Sequence, residues 1–451
     1  MNATKQKNRV RILCLVLAAA LLTSLKFFSL YSKERDSEYY VNSMISASYL
    51  GKQIPGPFGL ILLRSEGVVF SGESGGNEEN SALYIAYHPE DFDRDAVEID
   101  TVRLQQLGLQ GWIAYGAGSL CRSLHLPAQA AYYLLRLLNA LLFSLTLLGI
   151  SWQLKKAYNA LFAIVFYLVC LLSSWIDAFA CNLYWMSFSW FLPMLFGLMI
   201  LNHPQRRGWL YLLIAASVAL KCSFGYEYVT NVMIGPVFFL GVEWLCAVKE
   251  RTGRARLLFR CFVGAGLASF AGFAATICLH AWLRTGSVYG GLVDIVYCDV
   301  LRRTVGDPVI TTETAVVTVK TSVWAVLARY WLLSVTGLLA TGTLAANLVL
   351  FLRSKNRSGL FRDAVMLLAG ALAASSWFVL AKSHSYVHHH LNGVLFYLPF
   401  MQISVYILVK QLLRRLAVAG KTSESRLSDL LGTWLTGAAL EEGEENHAHL
   451  R

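Results

Sequence analysis

Residues 131–150 read AYYLLRLLNALLFSLTLLGI, twenty positions of which only Arg136 is charged. A helix needs about 20 mainly apolar residues to cross the hydrocarbon of a bilayer. Nine more stretches meet that requirement, at approximately 12–31, 158–176, 183–201, 208–226, 229–248, 261–283, 331–352, 364–382 and 393–411. The whole chain agrees: of 451 residues, 56% are hydrophobic and 15% charged, against about 25% charged in an ordinary soluble domain. A soluble enzyme is excluded. With 9 prolines and no low-complexity repeat, so is a disordered or fibrous chain. The expected fold is an all-α polytopic membrane protein of about ten transmembrane helices, with a membrane domain over 1–415 and a tail over 416–451 that carries a short amphipathic helix at 425–435.

Lysine and arginine set the orientation. They gather at Lys155 and Lys156, Arg206 and Arg207, 249–260, 353–362 and 410–426, whereas the alternate loops 177–182, 226–229 and 384–392 hold none. By the positive-inside rule both termini are cytoplasmic. Two long loops then face outward, 32–130 and 284–330. The first apolar stretch follows Lys5, Lys7, Arg9 and Arg11 like a signal peptide, but it runs on through Phe27, Phe28 and Leu30 without a small-residue cleavage site. It reads as a retained anchor. In the first long loop, RDSEYYVNSMISASYLG (35–51) and the stretch 101–124 have the mixed pattern of helices lying at the interface. A loop of that length is not a passive connector.

The net charge of +11 does not indicate nucleic acid, because the basic residues lie between apolar runs rather than on one soluble face. The 9 cysteines include no C-x-x-C pair and read as small core hydrophobes. Cys181 and Cys222 are the two placed so that they could pair. No P-loop, G-x-G-x-x-G or G-x-S-x-G is present, which argues against a nucleotide-driven pump, and the two N-x-S/T sequons, at Asn2 and Asn356, fall on the inner side.

Ionisable residues inside lipid are costly and mark function. On this topology Lys26, Arg136, Asp177, Lys221, Glu227, His280, Lys382 and His384 lie in or beside outer halves of spans, and Glu243 alone sits near an inner end. A polar site opening outward is expected; the plainer reading is snorkelling of long side chains. Trp175, Tyr184, Trp185 and Tyr226 share that level and read either as an interfacial aromatic belt or as sugar-stacking rings. His384 and His388 stand one turn apart, yet zinc needs a third protein ligand and no acidic partner is near. Binding of an anion or hydroxyl, or a structural role, fits them better. Asp299, Arg302 and Arg303 in YCDVLRRTVGD (297–307) are either a solvated loop face or a phosphate clamp.

The layout resembles the GT-C superfamily of integral membrane glycosyltransferases. The shared features are a first span followed at once by an acidic motif, here RDSEYY with Asp36 and Glu38 spelled D-x-E, a long outer loop, and a second one between spans seven and eight. The resemblance implies transfer of a sugar from a polyprenyl-phosphate donor to a glycan, lipid or protein acceptor, with Asp36 and Glu38 as the catalytic carboxylates. It also favours a bacterial inner membrane. Such transfer needs a carboxylate to take the acceptor proton and cations to stabilise the phosphate leaving group. The candidate substrate-binding residues are Arg136, Asp177, Lys221, Glu227, Arg302, Arg303, Lys382, His384 and His388, with Arg136, Lys382, His384 and Arg302 as the phosphate clamp. No cofactor is expected, a divalent cation being the one left open. The competing readings are a transporter or flippase of a lipid-linked saccharide, and a glycan polymerase or ligase.

The orientation has a direct test. An impermeant thiol reagent applied from outside is expected to label Asn77→Cys and to leave Arg206→Cys protected; the reverse pattern overturns the topology.

Overall fold

The computed structural model describes residues 14, 17–25, 37–65, 85–306, 321–354, 359–388 and 391–419. Asp36, Lys26 and the 425–435 helix lie outside them. The described chain is about 80% helical. Helix α1 covers residues 17–25, and Ser24 Oγ donates to Ser144 Oγ at 3.0 Å. A layer of α2 (Glu38–Tyr49), an antiparallel ribbon of β1 (Ile61–Ser65) and β2 (Val97–Val102), and α3 (Leu109–Ser123) follows. No strand is expected in this loop from the sequence, because an apolar run as short as LILL (60–63) carries no periodicity that separates strand from helix. Nor is α2 an interfacial helix. Residues 41–48 are all buried, and α3 packs so closely that a Cβ at Gly118 would stand 2.7 Å from the Ile45 carbonyl oxygen.

Beyond this layer run α4 (Ala128–Ala157), α5 (Ala160–Leu172), α6 (Ser174–Cys181), α7 (Phe188–Asn202), α8 (Arg207–Phe224), α9 (Val229–Lys249), α10 (Ala255–Thr285) and α11 (Val288–Ile295). A π-helical turn, Val296–Leu301, leads into Arg302–Thr304. After it come α12 (Val323–Ala328), a second π turn at Arg329–Leu333, α13 (Val335–Leu352), α14 (Leu360–Leu380), α15 (Lys382–Val387) and α16 (Phe400–Ala419).

Among the described residues six helices are long and apolar enough to cross a membrane: α4, α8 with its leading turn, α9, α10, α13 and α14. A seventh arises if α5 and α6, bent by 69°, count as one span. Serine makes that break: Ser173 Oγ accepts from Ile176 N at 3.2 Å and caps α6. Ser334 does the same ahead of α13, accepting from Gly337 N at 2.9 Å. The expected span 183–201 is shortened to the 15 residues of α7, because Asn182 Oδ1 accepts from Tyr184 N at 2.8 Å and holds a turn. The expected span 393–411 begins as 3-10 turns at Asn392–Tyr397, and Pro399 defers α16 to Phe400. Cys181 and Cys222 are buried free thiols, not a pair.

The long helices alternate in direction, so one end of the bundle carries α2, α3 and the ribbon and the other the α4–α5, α7–α8 and α9–α10 connections. Where α7 crosses α9, a Cβ on Gly197 would stand 2.5 Å from Pro236 Cα. Gly197→Val is therefore expected to destabilise the protein by about 1–3 kcal/mol through overpacking. Gly342→Ala, into open space, should be neutral or slightly stabilising. Thermal unfolding in detergent checks both; an unchanged midpoint for Gly197→Val contradicts the close crossing.

Candidate functional site

Glu38 has no exposed surface. Its Oε1 accepts from Leu183 N at 2.9 Å and its Oε2 from Tyr132 Oη at 3.2 Å and Tyr87 Oη at 3.4 Å. Burial pushes its carboxyl above the usual range against the opposing pull of Arg136 and these three donors. Arg136 Nη1 donates to the same Tyr132 Oη at 3.0 Å and its Nε to the Cys181 carbonyl at 2.9 Å, while Asn139 Nδ2 donates to the Ala180 carbonyl at 2.9 Å. Those two carbonyls end α6 and have no N–H donor within it. Arg136 is thus a helix cap and the neighbour of Glu38. Its bonds to Tyr132 and Cys181 tie it to α4 and α6, whereas Arg302, of the same expected clamp, lies beside Asp299. Asp177 sits in the first turn of α6, where a carboxylate suits the helix dipole.

A second cluster gathers at the same end. Arg103, which follows β2, lies 4.8 Å from the Tyr40 ring centroid and 5.6 Å from that of Tyr184. Arg303 Nη2 is 3.6 Å from Glu227 Oε1. Lys221 donates to the Gly225 carbonyl. Gly225 lets Glu227 fold back over the backbone, since a Cβ there would stand 2.6 Å from Glu227 Oε2. Asp299 is held by Arg284 Nη1 at 2.6 Å and lies 3.8 Å from Arg302 Nη2, and Asp294 takes Arg284 Nε at 2.5 Å. The π turn makes this convergence. Its wider coil directs Asp299 to Arg284 while the next residues bring Arg302 and Arg303 toward α15.

Four guanidinium groups, Arg103, Arg284, Arg302 and Arg303, and the Lys221 amine thus face three carboxylates, Glu227, Asp294 and Asp299. The field of the cluster acts on Arg302, Glu227 and the nearby His384. Burial and then Arg303 hold the Arg302 guanidinium below its usual range, with Asp299 opposing. Burial alone would raise the Glu227 carboxyl, but Arg303, Lys221 and Arg103 outweigh it and hold it low, so it is ionised. His384, whose ring centroid is 4.4 Å from that of His388, is pushed well down by burial and then by Arg303, His388, Arg302 and Arg103. It is neutral at pH 7. Lys382 opens α15 one half-turn earlier.

Beside the cluster an apolar slot of about 130 Å³ runs between Val229, Phe273, Ile277, Ile295, Trp377 and Leu380, with Asp299 and Arg303 in its wall. A net-positive cluster opening on an apolar slot can hold an anion that carries an apolar chain.

Sequence reasoning found Lys221, Glu227, Arg302, Arg303, His384 and His388 but gave Arg103, Arg284 and Tyr40 no role. Arg103 sits in a stretch read as an interfacial helix, where a lone arginine carries no signal. Of the four aromatic residues at this level, Tyr184 and Trp185 are buried, Trp175 Nε1 donates to Thr336 Oγ1 at 2.8 Å, and Tyr226 stacks on His280 at 5.5 Å. His280 itself is satisfied by Tyr226 Oη at 3.1 Å and the Leu104 carbonyl at 2.9 Å. Among the described residues no group of three or more His, Cys, Asp or Glu could hold a metal.

The depressed His384 has a testable sign. The unfolded chain takes up the proton near the ordinary pKa of about 6.5, before the folded state does, so the folded state loses stability as pH falls below that value. His384→Gln removes this term. From pH 7.5 to 5.5 the melting midpoint of the native protein is expected to fall further than that of the variant; parallel curves overturn the assignment.

Compared with known proteins, the chain matches no family model, no curated protein and no solved structure.

Proposed function

We propose that the protein is a membrane glycosyltransferase that moves a sugar from a polyprenyl-phosphate donor to a glycan, lipid or protein acceptor at the outer face of the membrane. The ten-span topology, the cytoplasmic termini and the bacterial inner membrane belong to this reading. The observation that carries it is the arginine cluster beside an apolar slot, a pairing suited to a phosphate whose lipid tail stays in hydrocarbon.

Arg103, Arg302 and Arg303 take the phosphate; the guanidinium fork suits its oxygens. As the bond from the anomeric carbon to the phosphate oxygen breaks, its electron pair goes to the phosphate, and the arginines stabilise the growing charge. The acceptor oxygen bonds to the anomeric carbon and its proton passes to a carboxylate. Asp36 is the proposed base. It stands two residues before Glu38, whose helix carries Tyr40 beneath Arg103. Glu38, with both oxygens engaged, fits a positioning role better than a base's. Glu227, ionised beside Arg303, is a second carboxylate within the cluster. The bent α5–α6 pair favours one alternative, a transporter of a lipid-linked saccharide, since transporters use broken helices at their sites.

Proteoliposomes with a labelled polyprenyl-phosphate sugar test the reading. Arg302→Ala should weaken donor binding roughly ten- to a hundredfold, the worth of one charge-assisted bond. Asp36→Asn should leave donor binding near normal and cut transfer by about 10²- to 10⁴-fold. Labelled donor that crosses the membrane without any transfer favours the transporter; full turnover of Asp36→Asn removes the proposed base.

A further inference from the structure

A second polar cavity, of about 310 Å³, lies at the opposite end of the bundle, where α4, α7, α9 and α14 meet the turn before α10. Its size reaches the lower bound of small-ligand sites, about 300 Å³. No part of the proposed transfer reaction uses it.

Its charges are unevenly matched. Glu243 Oε1 on α9 forms an ion pair with Arg362, 3.1 Å from its Nε, and the adjacent Asp363 turns the other way to Lys410 on α16, with Gln411 Nε2 at 3.3 Å. The first turn of α14 thereby clasps both neighbouring helices. Asn202 Nδ2 donates to the Gln153 carbonyl at 3.0 Å and to Gln153 Oε1 at 2.8 Å, fixing the end of α7 against α4. The wall is therefore preformed. Two of its cations, Lys156 and Arg254, have no carboxylate within ion-pair distance among the described residues. Glu250 is the one wall carboxylate outside the clasps. Close by, burial and then Lys156 and Arg206 push the His203 imidazole down.

We propose that this cavity is a phosphate-binding site in which Lys156 and Arg254 grip the anion and Arg362, already anchored by Glu243, lines its floor. The ligand class is a phosphate ester, supplied either by the headgroup of an anionic lipid or by a small soluble phosphate monoester. Two long cations against one free carboxylate select an oxyanion over a cation, and the fixed floor lowers the cost of organising the site.

The full-length protein in nanodiscs of phosphatidylcholine is titrated with glycerol 3-phosphate, and in parallel placed in discs containing phosphatidic acid. Stabilisation against heat and slowed hydrogen exchange over residues 246–258 are the readouts. Saturable protection by glycerol 3-phosphate identifies a soluble ester; protection only with phosphatidic acid identifies a lipid headgroup. Arg254→Gln and Lys156→Gln should each weaken binding roughly ten- to a hundredfold, while Arg302→Ala at the other end leaves protection of 246–258 unchanged. The exchange measurement on the native protein stands even if a variant fails to fold. Absence of protection by either probe overturns the proposal, as does protection that survives Arg254→Gln and Lys156→Gln but disappears in Arg302→Ala.

Discussion

A carboxylate with no exposed surface, Glu38, joins the layer of α2, α3 and the ribbon to the helices beneath it. One residue touches three elements: the backbone at Leu183, Tyr132 on α4, and Tyr87 ahead of β2. A buried carboxyl is tolerable only when its lone pairs are met. Once they are met here, the register of α2 on α4 is set. Arg136 extends the brace by capping α6, so the short helix after the Ser173 break ends against α4.

The arginine cluster depends on that brace. Tyr40 is two residues beyond Glu38 on α2, and Tyr184 follows Leu183; these are the two rings flanking Arg103. Fixing Glu38 therefore fixes the aromatic slot that holds Arg103 opposite Arg302 and Arg303. On the far side the π turn and Arg284 perform the equivalent task for the second long loop. Groups over 200 residues apart in the chain meet because each is anchored locally to the helical bundle.

The two ends of the bundle solve the same problem differently. At the ribbon end, positive charge exceeds negative and is left available beside an apolar slot. At the other end, Glu243 with Arg362 and Asp363 with Lys410 are matched in pairs, and Lys156 and Arg254 stand outside those pairs around one cavity. Matched pairs of this kind keep helices together in a low-dielectric interior, whereas unmatched cations attract anions.

The sequence by itself determined that the chain is helical and polytopic, because about 20 apolar residues in a row have few other uses, and the periodic segments α4, α9, α10 and α14 follow directly. It also singled out Lys221, Glu227, Arg302, Arg303 and His384 as candidates, since a charge among apolar residues stands out without any partner being known. Only the tertiary structure decided how these divide. Arg136 reads like Arg302 in the sequence, yet it caps α6, because what an arginine does depends on which carbonyl or carboxylate the fold brings within 4 Å. The ribbon, the buried α2 and Arg103 were not legible for the same reason: short strands, amphipathic segments and single cations take their character from partners distant in the chain. Asp363 and Lys410, each at a helix end in the sequence, become a buried pair only when α14 and α16 pack together.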